Sequence, residues 1–205
     1  MMKLHGPILS NNVQRPLLIA RHLGLAVETV PVDMVKGEHK SDAYRALNPH
    51  GRIPVLVDGD YALWESEAII HYLAAQKPDA IYPDDLKARS TILSWVVWGI
   101  AHLSRGISPV QFNRFFKPLF GMGEIDEVAV MNGLATYQAE AAVLEDRLEA
   151  STSGWLVGDG LTVADYDIAG WFLHAEAVAL PVMPHTAQWL ARVTAQPAWE
   201  ASLKG

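Results

Sequence analysis

Arg52-Ile53-Pro54-Val55-Leu56-Val57-Asp58-Gly59-Asp60-Tyr61-Ala62-Leu63-Trp64-Glu65-Ser66-Glu67-Ala68-Ile69 places two strands, a turn and a helix start in one run. Pro54–Val57 and Tyr61–Leu63 flank Asp58-Gly59-Asp60, and Asp-Gly between apolar runs predicts a hairpin. Glu65–Gln76 then reads as a helix with Ile69, Ile70 and Leu73 on one face. Toward the N-terminus, Ser41–Leu47 is a short helix and Val27–Val32 alternates around Glu28 and Thr29 as a strand. Asn11–Gly24 carries Val13, Leu17, Leu18, Ala20 and Leu23 at helical spacing, and Gly24 is predicted to close it. Lys3–His5 is a brief first strand. The order β-α-β-α-β-β-α over residues 1–77 predicts an α/β domain.

Toward the C-terminus the pattern changes. Residues 78–85 read as a linker, with Pro78, Pro83 and a run of turn formers. Beyond it no strand is expected. Leu86–Leu103 and Ile125–Ala150 read as long helices, the second with Val128, Met131, Ala135, Ala139, Ala142 and Leu148 toward a core. Thr162–Ala179, Thr186–Thr194 and a turn from Pro197 complete an all-helical domain over residues 86–205.

The chain has 205 residues, half of them hydrophobic and 19% charged, which excludes a disordered chain. A folded chain of this size buries roughly 70% of its unfolded surface. The net charge of −7, with no basic run, argues against nucleic acid, which needs a cationic stripe. The acidic excess lies in the second part, with 14 acidic against 8 basic residues beyond residue 80. There is no cysteine, so no disulfide framework, thiolate metal site or cysteine nucleophile exists. Any thiol chemistry must use a thiol that the substrate brings. No signal peptide is expected from Met1–Pro7, and the apolar run 92–103 is too short to span a bilayer. A soluble, cytoplasmic protein is the expectation.

Four groups of residues carry candidate chemistry. Ser10, with Asn11 and Asn12, stands between the first strand and the first helix. A hydroxyl there either caps the helix or joins the free N–H groups that favour an anion. Arg52-Ile53-Pro54-Val55 opens a strand with proline. That proline is either an ordinary strand start or a cis residue that exposes the Ile53 backbone to an extended peptide. Glu65 and Ser66 open a helix, and either cap it or hold an ammonium and a carboxylate. His39 and Lys40, in the loop Gly37-Glu38-His39-Lys40, are either solvated charges or a second carboxylate site. Together the four offer donors for two carboxylates, an acceptor for an amine and a hydroxyl for a thiolate, a set that suits a short acidic peptide. The histidines show no ligand spacing, and no metal is proposed.

In this order and spacing, Ser10-Asn11-Asn12-Val13-Gln14-Arg15, Gly37-Glu38-His39-Lys40, Asn48-Pro49-His50-Gly51-Arg52-Ile53-Pro54 and Leu63-Trp64-Glu65-Ser66-Glu67-Ala68-Ile69 resemble the glutathione transferases. The Ser-type motif and the His-Lys pair look most like the phi class and related bacterial enzymes. The resemblance covers nearly the whole chain. It implies a thioredoxin-like N-terminal domain plus an all-α C-terminal domain, a homodimer, and glutathione as co-substrate without a prosthetic group.

The resemblance implies that Ser10 hydrogen-bonds the glutathione thiolate, with Asn12 a second polar candidate of lower rank. It implies that His39 and Lys40 bind the glycine carboxylate, and that Ile53 pairs by backbone beside a cis Pro54. Glu65 and Ser66 would take the γ-glutamyl end. Gly6 stands near where Tyr-type members carry their tyrosine, so that mechanism is closed. Arg52 replaces the Gln or Lys of relatives and can still donate to a carboxylate through its planar fork. His50 replaces an aromatic that in many relatives plugs into the partner subunit, and imidazole is a weaker apolar plug.

The resemblance also makes the first long helix of the second domain a wall of the electrophile pocket. Trp95, Trp98, His102 and Phe112 are its candidates, with Phe115 and Phe116 beside them and Arg105 and Arg114 as cations. An apolar aromatic wall suits a small hydrophobic electrophile such as an aryl halide, epoxide, enone or organic hydroperoxide. Thr162-Val163-Ala164-Asp165 reads as a capping box opening a buried helix. Asp167 either joins that core or faces water. The functional reading is a glutathione transferase, with peroxidase activity included. Its rivals are a non-catalytic binding module of the same fold and a specialised glutathione-dependent isomerase or dehalogenase.

Overall fold

The computed structural model describes residues 1–78 and 81–204. Its contacts divide the chain into two compact units, Met1–Asp84 joined by the stretch from Thr194 onward, and Asp85–Val193. Residues 79 and 80 of the predicted linker lie outside the described residues.

The first unit opens with β1 (Met2–His5), α1 (Asn11–His22) and β2 (Val27–Val30). A 3-10 turn (Glu38–Lys40), α2 (Asp42–Arg45), β3 (Val55–Asp58), β4 (Tyr61–Trp64) and α3 (Ser66–Gln76) follow. The sheet order is β2-β1-β3-β4, with β1 parallel to β2 and the other pairs antiparallel. This is the thioredoxin-like α/β arrangement expected.

The strands alternate as a two-faced sheet should. Val55 and Val57 pack with Val32 and Tyr44 on one face. Leu4 and Leu56 are register partners and are fully buried. Val13, Leu17, Ile19, Ile69, Ile70 and Leu73 supply fully buried side chains from α1 and α3, which pack on each other. Gly24, at φ +60, closes α1 as expected, with Leu25 N–H bonded to the Ala20 carbonyl and Gly24 N–H to Arg21. The hairpin forms, but one residue later than Asp-Gly suggests. Asp58 pairs with Tyr61, so Gly59-Asp60 is the two-residue loop, with positive φ at Gly59 only. A single positive φ at the first central position belongs to the II′ class of turn.

The second unit is helical, with no strand among the described residues. α4 (Leu86–Trp98) runs through a π-helical segment (Gly99–Leu103) into α5 (Ser104–Gln111). A second π segment (Phe112–Phe116) then leads into α6 (Lys117–Phe120). The helix predicted to end at Leu103 therefore continues to Phe120. Ser104, Gly106, Ser108 and Pro109 are poor helix formers, but packing of Ile107 and Val110 overrides their propensity. α7 (Glu127–Glu149), α8 (Val163–Gly170) and α9 (Pro184–Thr194) complete the unit. α8 is shorter than predicted, since Trp171–Ala179 proceeds in turns.

The face assigned to α7 needs correction. Val128 and Met131 are 62% and 61% exposed, and Ala135 and Ala139 are exposed too. Ala142 is half-buried, and of the predicted set only Leu148 is buried. The buried face is Val130, Gly133, Tyr137, Ala141, Leu144, Glu145 and Leu148. α5 crosses closely at Gly106 and Gly133, so small size selects that face more than hydropathy does.

Asp165 anchors α8 as the motif predicts. Its carboxylate accepts from the Thr162 N–H (2.8 Å) and hydroxyl (2.9 Å), from Leu156 N–H (3.0 Å) and from Trp189 Nε1 (2.8 Å). Burial pushes its pKa up and these donors pull against it, leaving it raised. Asp167 is fully buried. The last helix, α10 (Pro197–Leu203), packs on α1 and so belongs to the first unit, where the sequence reading placed it in the second.

Candidate active site

Strand register gathers the predicted residues at one end of the sheet. His5 pairs with Val55, and Val55 pairs with Trp64. The loop leaving β1, the Arg52–Pro54 segment entering β3 and Glu65–Ser66 leaving β4 therefore share that end. The 3-10 turn joins them through a glycine. Gly51 sits at φ +57, and a Cβ there would lie 2.7 Å from the His39 carbonyl. Only glycine permits both the left-handed backbone and this approach.

Ser10 is the N-cap of α1, yet its side chain makes no capping hydrogen bond. The hydroxyl therefore stands at the start of α1 without serving as its cap. Asn12 is differently placed: its Oδ1 accepts from Arg15 Nη2 at 2.8 Å. Because a guanidinium only donates, this contact fixes the amide with its oxygen inward.

The Ile53–Pro54 peptide is cis. Arg52 is exposed, but its carbonyl is held by Tyr44 Oη at 3.1 Å and Asn48 Nδ2 at 2.8 Å. Asn48 Oδ1 also accepts the His50 N–H at 3.0 Å. Tyr44 and Asn48 were not among the expected site residues. The Asn-Pro-x-Gly turn was the available signal for Asn48, whereas nothing in the sequence near Tyr44 marks it. His50 is exposed and rests on Trp64, with ring centroids 5.4 Å apart.

Glu65 precedes α3 at φ 69 without a capping bond from its side chain. A non-glycine residue held there is strained, a state that clusters at functional sites. Ser66 opens α3 and is 4% exposed. Next to it, Glu67 Oε1 accepts from the buried Arg15 Nη1 at 2.8 Å. This ion pair ties α3 to α1.

His39 and Lys40 close the 3-10 turn, Lys40 exposed and His39 half-buried. Burial lowers the pKa of His39, and the cations Lys40 and Arg45 lower it further. Its Nδ1 is buried without a hydrogen-bond partner among the described residues. A cationic neighbourhood and an unengaged imidazole suit an arriving carboxylate.

The remaining predicted residues lie in the second unit. Trp95 and Trp98 meet edge to face at 5.2 Å. Trp98 Nε1 donates to Glu140 on α7 at 3.0 Å, and His102 Nδ1 lies 4.0 Å from the same carboxylate. Phe112 is 43% exposed, with Lys117 Nζ 5.8 Å from its ring centre. Trp95, Trp98 and His102 thus gather near α7, and Phe112 stands further along the chain. Phe115 stacks on His174 at 4.0 Å, and Phe116 meets the same ring edge-on. Arg114 donates to the Val178 carbonyl, while Arg105 is exposed. Among the described residues no cluster could hold a metal, and no helix is long and apolar enough to cross a membrane.

Known proteins resemble this chain over nearly its whole length. The family model described as glutathione S-transferase, N-terminal domain, matches residues 4–80, and that described as the C-terminal domain matches 106–197. A probable glutathione S-transferase of Oryza sativa subsp. japonica is 33% identical, covering 96% of this chain and 93% of its own. A glutathione S-transferase of Hyoscyamus muticus is 32% identical, covering 99% and 98%. Among solved structures, glutathione transferase F7 from Populus trichocarpa superposes with a TM-score of 0.89 at 26% identity, covering 100% of this chain and 98% of that one. Glutathione S-transferase-I bound with lactoylglutathione superposes with a TM-score of 0.84 at 27% identity, covering 99% and 98%.

Proposed function

The chain belongs to the glutathione S-transferase family and is a transferase by that membership, and from this premise we propose how its residues perform the reaction. Glutathione is the co-substrate, and Ser10 stabilises its thiolate. The observation that carries the reading is the Ser10 hydroxyl at the start of α1, released from capping. A donor to sulfur at a helix N-terminus favours the charged form, lowers the thiol pKa and raises the thiolate fraction near neutral pH. Ser10 forms no covalent bond. The Asn12 amide is a second donor, because Arg15 occupies its oxygen and leaves its N–H groups.

The rest of the first unit aims the thiolate. His39 and Lys40 take the glycine carboxylate, and Arg52 adds a further donor. Ile53 pairs through its backbone with the cysteinyl unit beside Pro54. Glu65 and Ser66 take the γ-glutamyl amine and carboxylate. The sulfur then attacks a small hydrophobic electrophile. With an aryl halide, an S–C bond forms and halide leaves with its bonding pair, the thiol proton having gone to solvent. Trp95, Trp98, His102 and Phe112 are proposed for the electrophile side, and a second copy of the chain as the physiological partner.

The test is Ser10→Ala assayed with a generic aryl halide while glutathione binding is followed by calorimetry. Turnover at least tenfold lower, with binding retained, is expected from losing one charge-stabilising donor. Unchanged turnover overturns the role of Ser10.

A further inference from the structure

Ser10 must hold its hydroxyl steady, yet it sits at the end of a loop. That loop is short, and its Ser10 N–H bonds to the Pro7 carbonyl at 3.0 Å. One residue grips the chain on both sides of Ser10. The Gln14 N–H donates to the Ser10 carbonyl at 2.9 Å, the first-turn bond of α1. The Gln14 side chain reaches back and donates Nε2 to the Ile8 carbonyl at 2.8 Å. The Ile8–Leu9 peptide, one step before the peptide that enters Ser10, and the Ser10–Asn11 peptide that leaves it are thus both held by the same residue.

The second proton of that amide goes elsewhere. Gln14 Nε2 also lies 3.2 Å from the Ser202 carbonyl in the last turn of α10. Gln14 is 2% exposed, and so is Ser202. Nε2 carries two protons, so one group serves both carbonyls. A side chain held at two carbonyls and closed off from solvent has one rotamer, and its position depends on where α10 sits. α10 packs on α1 within the same unit.

We propose that Gln14 is a positioning residue for the thiol site, setting the backbone around Ser10 and coupling it to the C-terminal helix. Its hydrogen-bond partners are Ile8, Ser10 and Ser202, none of them a residue proposed for the ends of glutathione. The inference rests on the Ser10 reading above. Its signature is therefore a change in thiol ionisation and turnover without a matching change in glutathione affinity.

Gln14→Met keeps the length and bulk of the side chain and removes both donors. The ionisation of bound glutathione is followed by thiolate absorbance against pH, alongside kcat, the glutathione KM and the Kd of S-methylglutathione. The bound thiol is expected to titrate about one pH unit higher. A fall in kcat of roughly tenfold below neutral pH follows from the lost thiolate, with Kd within about twofold. A wild-type titration curve and kcat overturn the inference. The same substitution in a Ser10→Ala background separates the two readings. If Gln14 acts through Ser10, it adds less than about twofold there. If the two losses multiply, Gln14 acts elsewhere and the inference fails. If Ser10→Ala alone leaves thiol titration unchanged, the Ser10 reading falls first. Should Gln14→Met not fold, Ser202→Leu pushes the last turn of α10 away from an intact Gln14. A smaller shift of the same sign is expected, and an unchanged curve overturns the inference.

Discussion

Arg15 and Glu67 form an ion pair of 2.8 Å that joins α1 to the first turn of α3, with the arginine side chain fully buried and the glutamate 17% exposed. The pair lies between two of the segments proposed to hold glutathione. Arg15 also holds Asn12, proposed as a donor to the thiol, and Glu67 follows Ser66, proposed for the γ-glutamyl end. Removing one partner of a buried pair leaves the other charge uncompensated, at a cost of about 3 kcal/mol. Glu67→Ala should therefore lose that much in urea unfolding and raise the glutathione KM together. Glu67→Gln, which keeps a carbonyl acceptor, should lose less. Wild-type stability in Glu67→Ala would show that the pair contributes nothing.

His39 gives a pH dependence whose sign can be worked out. Burial first, then Lys40 and Arg45, lowers its pKa from the ordinary 6.5. Free His39 is therefore neutral at pH 7. A bound carboxylate favours the imidazolium and raises the pKa again, so binding takes up a proton in the window between the two values. Affinity rises as pH falls through that window. S-methylglutathione, which has no thiol to titrate, should bind several-fold more tightly at pH 5.5 than at 7.5. Calorimetry in buffers of different ionisation enthalpy should register the proton. The His39→Gln enzyme should show neither effect, and a flat wild-type profile would remove His39 from the carboxylate site.

Much of this site was legible because its parts are local. Ser10, Pro54, Glu65 and Ser66 stand at element boundaries, where caps, prolines and turn formers mark position without tertiary knowledge. The order of the first unit followed from alternation and helical spacing for the same reason. Part of what stayed hidden depends on contacts between distant segments. Gln14 meets Ser202 across 188 residues, whereas Tyr44 and Asn48 reach the Arg52 carbonyl from only 8 and 4 residues away, Asn48 through its turn and Tyr44 with no local sequence mark. The buried face of α7 was misread because Gly133 packs against α5 through its small size, which a hydropathy pattern counts against it. The continuation of α4 to Phe120 was missed because Gly106 and Pro109 carry stop signals that packing overrules.

Glu145 caps a helix from a distance and sets an acid-side limit on stability. It is 6% exposed on α7 and accepts from the N–H groups of His185 and Thr186, the Thr186 hydroxyl and the His185 ring. Burial pushes its pKa up, but these donors outweigh burial and leave it below the usual 4.5. A depressed carboxylate contributes stability that is present above 4.5 and lost as pH falls through the folded value. Glu145→Gln should be less stable at pH 7 by about 1–3 kcal/mol, since a donor amide then faces donors. Its thermal midpoint should also fall less steeply than that of the wild type below pH 4.5. Parallel curves would show that Glu145 does not carry this dependence.

The Arg52 carbonyl offers a graded test of how the segment entering β3 is held. Two donors meet it: Tyr44 Oη at 3.1 Å and Asn48 Nδ2 at 2.8 Å. Tyr44 is 7% exposed, and burial pushes its phenol pKa well above the usual range, so it stays a neutral donor at any working pH. Tyr44→Phe removes one bond and little volume, with an expected loss of about 1 kcal/mol. Asn48→Ala removes the shorter bond and also the Oδ1 that accepts the His50 N–H, so its loss should be larger. Both act on the backbone that would pair with glutathione, not on Ser10. The glutathione KM should therefore rise in the order Tyr44→Phe, then Asn48→Ala, while kcat at saturating glutathione stays within about twofold. A fall in kcat without a rise in KM would place these residues with the thiol instead, and the division between aiming and ionising proposed for this site would not hold.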